Sequence, residues 1–194
     1  MPTELLFKSI TEVSTLIKGH HLSPSELNEE CLAHIEKTDP LINSFTTVAF
    51  DYSRKRAKAA TDEIMRGEYK GPLHGIPYTL KDVIATKDVR TTFGNPNGTD
   101  YSPQNDATVH TLLEQAGGIL IGKVYSQIGR GSLPVECYNP WDLRFSPGTS
   151  SSGSGASVAS GMGFVSLGTD TGGSVRHPAA NCNLVGFRLS TGMI

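Results

Sequence analysis

The sequence predicts an α/β domain. Apolar residues recur at three-to-four spacing in several segments, and short apolar runs of strand length fall between them. Size agrees: 194 residues with 37% apolar content suffice for one globular unit with a sizeable core. The expected architecture is helices covering a sheet.

In chain order, TELLFKSITEVSTLIKG carries an apolar helical face and stops at Gly19. Ser23-Pro24-Ser25-Glu26 opens a second helix: Ser23 caps, Pro24 suits the first helical position, and Glu26 reaches back as in a capping box. Leu27, Cys31 and Ile35 then share its buried face. SFTTVAF reads as a strand, and Asp51 starts a charged helix that runs through YSRKRAKAATDEIMR to Gly67. After the turn-rich KGPLHGIP, YTLKDVIA reads as a strand with Lys81 in its middle. Asp106 is expected to cap DATVHTLLEQAGG, ILIGKVY is a strand, ASVASGM is a small-residue helix, and GFVSLGTD is a further strand.

Composition excludes several functions. A net charge of −2 with dispersed Lys and Arg gives no basic patch for nucleic acid; the run Arg54, Lys55, Arg56 and Lys58 scatters round a solvated helical face. Cys31, Cys137 and Cys182 lack the spacing of a zinc site or a disulfide framework, which suits a reducing compartment. No signal-peptide core and no stretch of about 18 apolar residues is present, so the expected setting is cytoplasmic, with no membrane partner. Six histidines show no HExxH pairing, so no metal site is expected; His177 alone lies near the serine-rich tract and is a minor candidate for touching a ligand. The elbow G-x-S-x-G and the dinucleotide pattern G-x-G-x-x-G are absent. GGILIGK nearly spells a phosphate loop but has Val124 where Ser or Thr is needed.

Residues 148 to 176, GTSSSGSGASVASGMGFVSLGTDTGGSVR, look at first like a linker. Too little chain follows for a second domain, and the tract runs into a helix and a strand. What remains is serine chemistry without histidine. A serine hydroxyl needs a base, and a lysine serves if desolvation lowers its pKa. Lys81 in an apolar strand meets that condition, unless it pairs with Asp82 or points outward on an edge strand.

The strings HGIPYTLKDV, GTSSSGSG and GTDTGGSVRHPAA, in this order and spacing, resemble the amidase signature family. LSPSELNEECLAHIEKTDPLINSFTTV, NDATVHTLLEQAGGILIGK and NPWDLRFSPG extend the likeness over essentially the whole chain. The resemblance implies a mixed β-sheet wrapped by α-helices and a Ser-cisSer-Lys triad that cleaves carboxamides through an acyl-enzyme. By position Lys81 is the base, Ser174 the nucleophile and Ser150 the middle serine in a cis peptide, with Ser151 and Ser152 its nearest rivals. Backbone N–H groups of Thr171, Gly172 and Gly173 would form the oxyanion hole, and Asp170 and Arg176 would support the nucleophile turn. Cys182 is expected to pack, and Trp141 to pack under a loop.

Thr149 and Ser152 stand where the family usually has glycine, which would tighten the site or misplace Ser150. KVYSQIGRG departs from the segment usual in the glutaminase subunit of tRNA-dependent amidotransferases. A general amidase of linear amides is therefore favoured over that glutaminase, with an inactive truncated homologue as a further reading. The expected organisation is a single, incomplete domain over 1–194, mainly helical over 1–70 and carrying the catalytic core over 71–194. The implied partner is a small-molecule amide, with no cofactor and no nucleic acid. Family members are commonly more than twice as long, so exposed sheet edge is expected, and a homo-oligomer or a missing C-terminal half is left open.

Overall fold

Two serines set the start of the N-terminal helices. Ser9 accepts a hydrogen bond from the Glu12 amide while Glu12 accepts from the Ser9 amide, and Ser23 and Glu26 repeat the arrangement. In the computed structural model, which describes residues 4–94, 100–127 and 137–193, these boxes open α1 (Ile10–Lys18) and α2 (Pro24–Ile42). The segment read as one helix from Thr3 is therefore split. A 3-10 turn, Leu5–Phe7, precedes α1, because the Ser9 box forces an extended residue between them. Leu27, Cys31 and Ile35 are buried on α2 as expected.

β1 (Phe45–Val48) passes directly into α3 (Phe50–Met65). The Ala49 amide still donates to Ile121 O at 2.9 Å, so pairing with the sheet continues into the helix cap. Asp51 consequently lies in the first turn of α3, where its charge suits the helix dipole, and is not the cap. β2 (Pro77–Lys81) and β3 (Ile119–Val124) are buried at every position, which is why both read as apolar runs. Between them α4 (Thr108–Gln115) is capped by Ala107, not by Asp106. Asp106 instead accepts the Lys87 amide at 2.7 Å and ties down the preceding loop. α5 (Ser152–Ala159), β4 (Val165–Leu167) and α6 (Arg176–Asn181) complete the described fold; α6 has no counterpart in the sequence reading.

The strands form one mixed sheet in the order β1-β3-β2-β4. β2 is parallel to both neighbours and β1 is antiparallel to β3. The α/β architecture with helices on a mixed sheet is as expected. One face packs Val13, Ile17, Leu27 and Ile35 against Ile119 and Ile121; the other packs Tyr78, Leu80 and Leu120 with Ile84 and Val89. Among the described residues β1 and β4 each have one strand neighbour, and Val185 and Phe187 are 97% and 75% exposed, so sheet edge and apolar surface are both open. No described helix is long and apolar enough to cross a membrane.

The register of β3 decides which way its lysine faces. Tyr78 pairs with Leu120 but Thr79 pairs with Gly122, so β3 holds one extra residue, Ile121. After that bulge, Lys123 pairs with Leu80 and Val124 with Lys81. The bulge thus sends Lys123 to the face of Leu80 and away from that of Ile121, while Lys81 takes the opposite face. Lys81 and Lys123 are close in the sheet and point apart.

Gly and Ser are poor helix formers, yet Ser152 to Ser157 are buried in α5. Their small size is what the packing uses. A Cβ on Gly153 would come within 2.4 Å of Tyr125 N and 2.6 Å of Ser44 O, both backbone atoms. Replacing Gly153 with Ala is expected to cost about 1–3 kcal/mol through a forced backbone shift. Ser23→Ala, which removes a cap on an exposed helix end, is expected to cost about 1 kcal/mol. Urea unfolding of both variants checks the ranking; a Gly153→Ala chain as stable as the parent contradicts the close approach.

Candidate active site

Lys81 ends β2, and its side chain is 2% exposed. Its ammonium donates to Ser150 Oγ at 2.7 Å and to Thr169 Oγ1 at 2.8 Å. Burial pushes the amine down to about 8, with the Asp170 carboxylate opposing. Lys81 therefore neither points outward nor pairs with Asp82. The Asp82 carboxylate turns to the other side of the sheet, where it accepts the Thr92 amide at 3.1 Å and the Thr92 hydroxyl.

The serine tract reaches Lys81 through a turn at Ser150, whose φ is +65°. Ser150 O accepts the Gln127 amide at 3.0 Å, fixing the turn to the segment after β3. All described peptide bonds are trans, so the cis bond expected at Ser150 is not observed; the left-handed residue itself reverses the chain. Of its rivals, Ser151 hydrogen-bonds Thr169 O at 3.4 Å, and Ser152 Oγ is buried in the first turn of α5 without a partner among the described residues. Thr149 is exposed, and neither departure from glycine moves Ser150 out of reach of Lys81.

Ser174 lies in the turn between β4 and α6, a turn organised by Asp170. That carboxylate accepts the amides of Gly173 at 2.7 Å, Val175 at 3.1 Å and Arg176 at 3.3 Å, and pairs with the Arg176 guanidinium at 3.1 Å through both Nε and Nη2. The guanidinium, helped by these amides and opposed by burial, holds the Asp170 carboxyl well below the usual carboxylate range. Asp170 and Arg176 are thus both built into the turn that bears Ser174. Ser174 is half-buried, and among the described residues no hydrogen bond joins it to Ser150 or Lys81. Gly173 departs from expectation. Its amide is taken by Asp170, so of the three amides assigned to an oxyanion hole only those of Thr171 and Gly172 lack a partner among the described residues.

Thr169, which sequence reasoning passed over, is the link between the two serine motifs: it holds Lys81 through its hydroxyl and Ser151 through its carbonyl. Its position inside GTD gave the only signal. Lys123 was also missed as a buried charge. Its ammonium donates to Ile84 O at 2.5 Å and Thr91 Oγ1 at 2.8 Å, stands 4.0 Å from Asp82, and is pushed down to about 8 by burial. Cys182 is fully buried, as expected. Trp141 is 66% exposed and not packed under a loop; its indole N–H donates to Cys182 O at 2.9 Å, which fixes the ring at the surface. His177 is exposed, its ring against Gly173. The segment KVYSQIGRG lies outside the described residues beyond Gln127.

Residues 26–194 match the family described as Amidase. The A-subunit of glutamyl-tRNA(Gln) amidotransferase from Anaeromyxobacter sp. (strain K) is 41% identical over 197 residues, covering 98% of this chain and 40% of its own. Among solved structures, a bacterial aryl acylamidase of the amidase signature enzymes aligns with a TM-score of 0.82 at 33% identity, over 90% of this chain and 38% of that one. The peptide amidase of Stenotrophomonas maltophilia aligns with a TM-score of 0.83 at 28% identity, over 90% and 38%. The chain spans about two fifths of the length of these relatives. Motif strings, sheet topology and these matches agree, and the chain belongs to the amidase signature family.

Proposed function

We propose that the chain carries the acyl-transfer machinery of an amidase acting on linear carboxamides, with Lys81 as base, Ser150 as relay and Ser174 as nucleophile. The observation that supports this most is the buried Lys81 amine, 2.7 Å from the Ser150 hydroxyl. Neutral Lys81 takes the Ser150 proton as Ser150 takes that of Ser174. Ser174 Oγ then attacks the amide carbon, and the amides of Thr171 and Gly172 stabilise the oxyanion. Collapse breaks the C–N bond, and the proton held by Lys81 returns through Ser150 to the departing nitrogen. Water cleaves the resulting acyl-Ser174 ester by the same relay. The left-handed turn at Ser150 and the Thr169 contact support this reading, since each puts a hydroxyl of the serine motifs in hydrogen-bond reach of the Lys81 amine.

A second reading, the glutaminase of a tRNA-dependent amidotransferase, draws on the 41% identity to a relative named for that complex. Ammonia release from glutamine, against release from simple aliphatic and aryl amides, separates the two readings. Under the amidase reading glutamine is the poorer substrate.

A fluorophosphonate probe is expected to label the folded chain, and Ser174→Ala to abolish the label. Lys81→Ala should slow labelling roughly 100-fold or more, the usual range for losing a general base. A folded parent chain that takes no label supports an inactive homologue instead. Ser150→Ala should give a severe loss; labelling at the parent rate moves the relay to a neighbouring serine.

The labelling rate should also follow the Lys81 amine. Its acid form is favoured below about 8, so the rate is expected to rise roughly tenfold per pH unit towards that value and to level off above it. A flat profile from pH 6 to 9 removes Lys81 as the base.

A further inference from the structure

On the face of the sheet opposite Ser150, two carboxylates gather beside one imidazole nitrogen. Asp106 precedes α4, and His110 and Glu114 follow at successive turns of the same strip. Their ligand atoms lie within 4.8 Å of one another. The His110 ring is fully buried. Its Nδ1 is 2.7 Å from the Tyr78 hydroxyl on β2, and its Nε2 is 3.3 Å from the Tyr52 hydroxyl on α3 and 3.7 Å from Asp106 Oδ1. Tyr52 in turn donates to Glu114 Oε1 at 2.5 Å.

We propose that Asp106, His110 and Glu114 bind a divalent transition-metal ion of zinc type. One imidazole nitrogen and two carboxylates form a donor set that such an ion takes. With its proton donated to Glu114, the Tyr52 hydroxyl accepts from His110 Nε2–H, so binding of an ion releases that proton and moves the remaining N–H to Nδ1, where the Tyr78 hydroxyl oxygen accepts it. Two carboxylates match the charge of a divalent ion, and Arg56, 3.2 Å from Glu114, is the cation with which it would compete. Asp106 and Glu114 are 27% and 24% exposed, which gives an ion a route from solvent to the buried nitrogen.

The test is titration of the tag-free 194-residue chain, stripped by a chelator, with Zn2+ in a calorimeter, alongside thermal unfolding with and without the ion. One Zn2+ per chain and a raised melting temperature are expected. Glu114→Gln and Asp106→Asn, at the open rim, should each weaken binding at least about tenfold, and Tyr78→Phe, acting only through Nδ1, by about tenfold. His34→Ala should leave affinity unchanged. Absence of saturable binding to the parent chain overturns the proposal. So does binding that survives both rim variants, as it would if the cysteine thiols held the ion. Because the rim variants leave the buried ring in place, the outcome does not depend on His110→Ala folding, nor on any step assigned to Ser174.

Discussion

A buried amine with no carboxylate in hydrogen-bond contact is the constraint on which the rest of the site depends. Lys81 sits at the end of a fully buried strand, and its partners are two hydroxyls, Ser150 and Thr169. Hydroxyls satisfy the donors of an ammonium but do not offset its charge, so desolvation wins and the neutral amine becomes accessible near neutral pH. The surroundings follow from that requirement. Ser150 reaches the amine only because the chain reverses there with φ of +65°, and the reversal is possible only if α5 approaches the end of β3 without side chains between. Gly153 lies against the Tyr125 and Ser44 backbones, and Gly155 lies against the Pro178 carbonyl on α6. The small residues that resemble a linker are therefore the closest-packed part of the site.

The turn bearing Ser174 is held together in a separate way. Asp170 gathers three amides and a guanidinium, so the chain from Thr171 to Arg176 is wrapped round one carboxylate. A lone carboxylate of this kind would repel any oxyanion forming nearby, but Arg176 neutralises it. The arrangement also fixes which amides face outward: Gly173 is turned inward to Asp170, and Thr171 and Gly172 are left at the surface.

Much of the fold was legible because local chemistry and tertiary structure agreed. The capping box at Ser23 and the apolar stripe of Leu27, Cys31 and Ile35 stayed together in α2, and the short, mostly apolar runs of β2 and β3, each with one lysine, reported strands buried on both faces. Where tertiary pairing competed, local signals failed. Asp51 and Asp106 are good cap residues by type, but pairing of Ala49 with β3 moved the start of α3, and the Lys87 amide drew Asp106 away from α4. The bulge at Ile121 was invisible, since one extra residue in a buried strand leaves the apolar run intact. Within the site, Lys81 and Ser150 were legible as a pair because a lysine in an apolar strand is anomalous and the serine motif carries the family likeness. Thr169 and the inward amide of Gly173 were not, because both depend on where the chain turns in space.

The two buried lysines show why a lowered pKa does not by itself mark a base. Both amines are pushed to about 8 by burial, and both lie near the ends of adjacent strands of one sheet. Lys123 is tied to a backbone carbonyl and the Thr91 hydroxyl, with Asp82 at 4.0 Å, so its proton has structural work on every side. Lys81 meets hydroxyls alone, one of which can pass a proton onward. Had β3 lacked its bulge, Lys123 would have shared the face of Lys81, and two ammonium groups in one dry site would each have opposed the other's charge. The extra residue in β3 separates a lysine that holds a loop from the one proposed as base, and the chemistry proposed at Ser174 requires that separation.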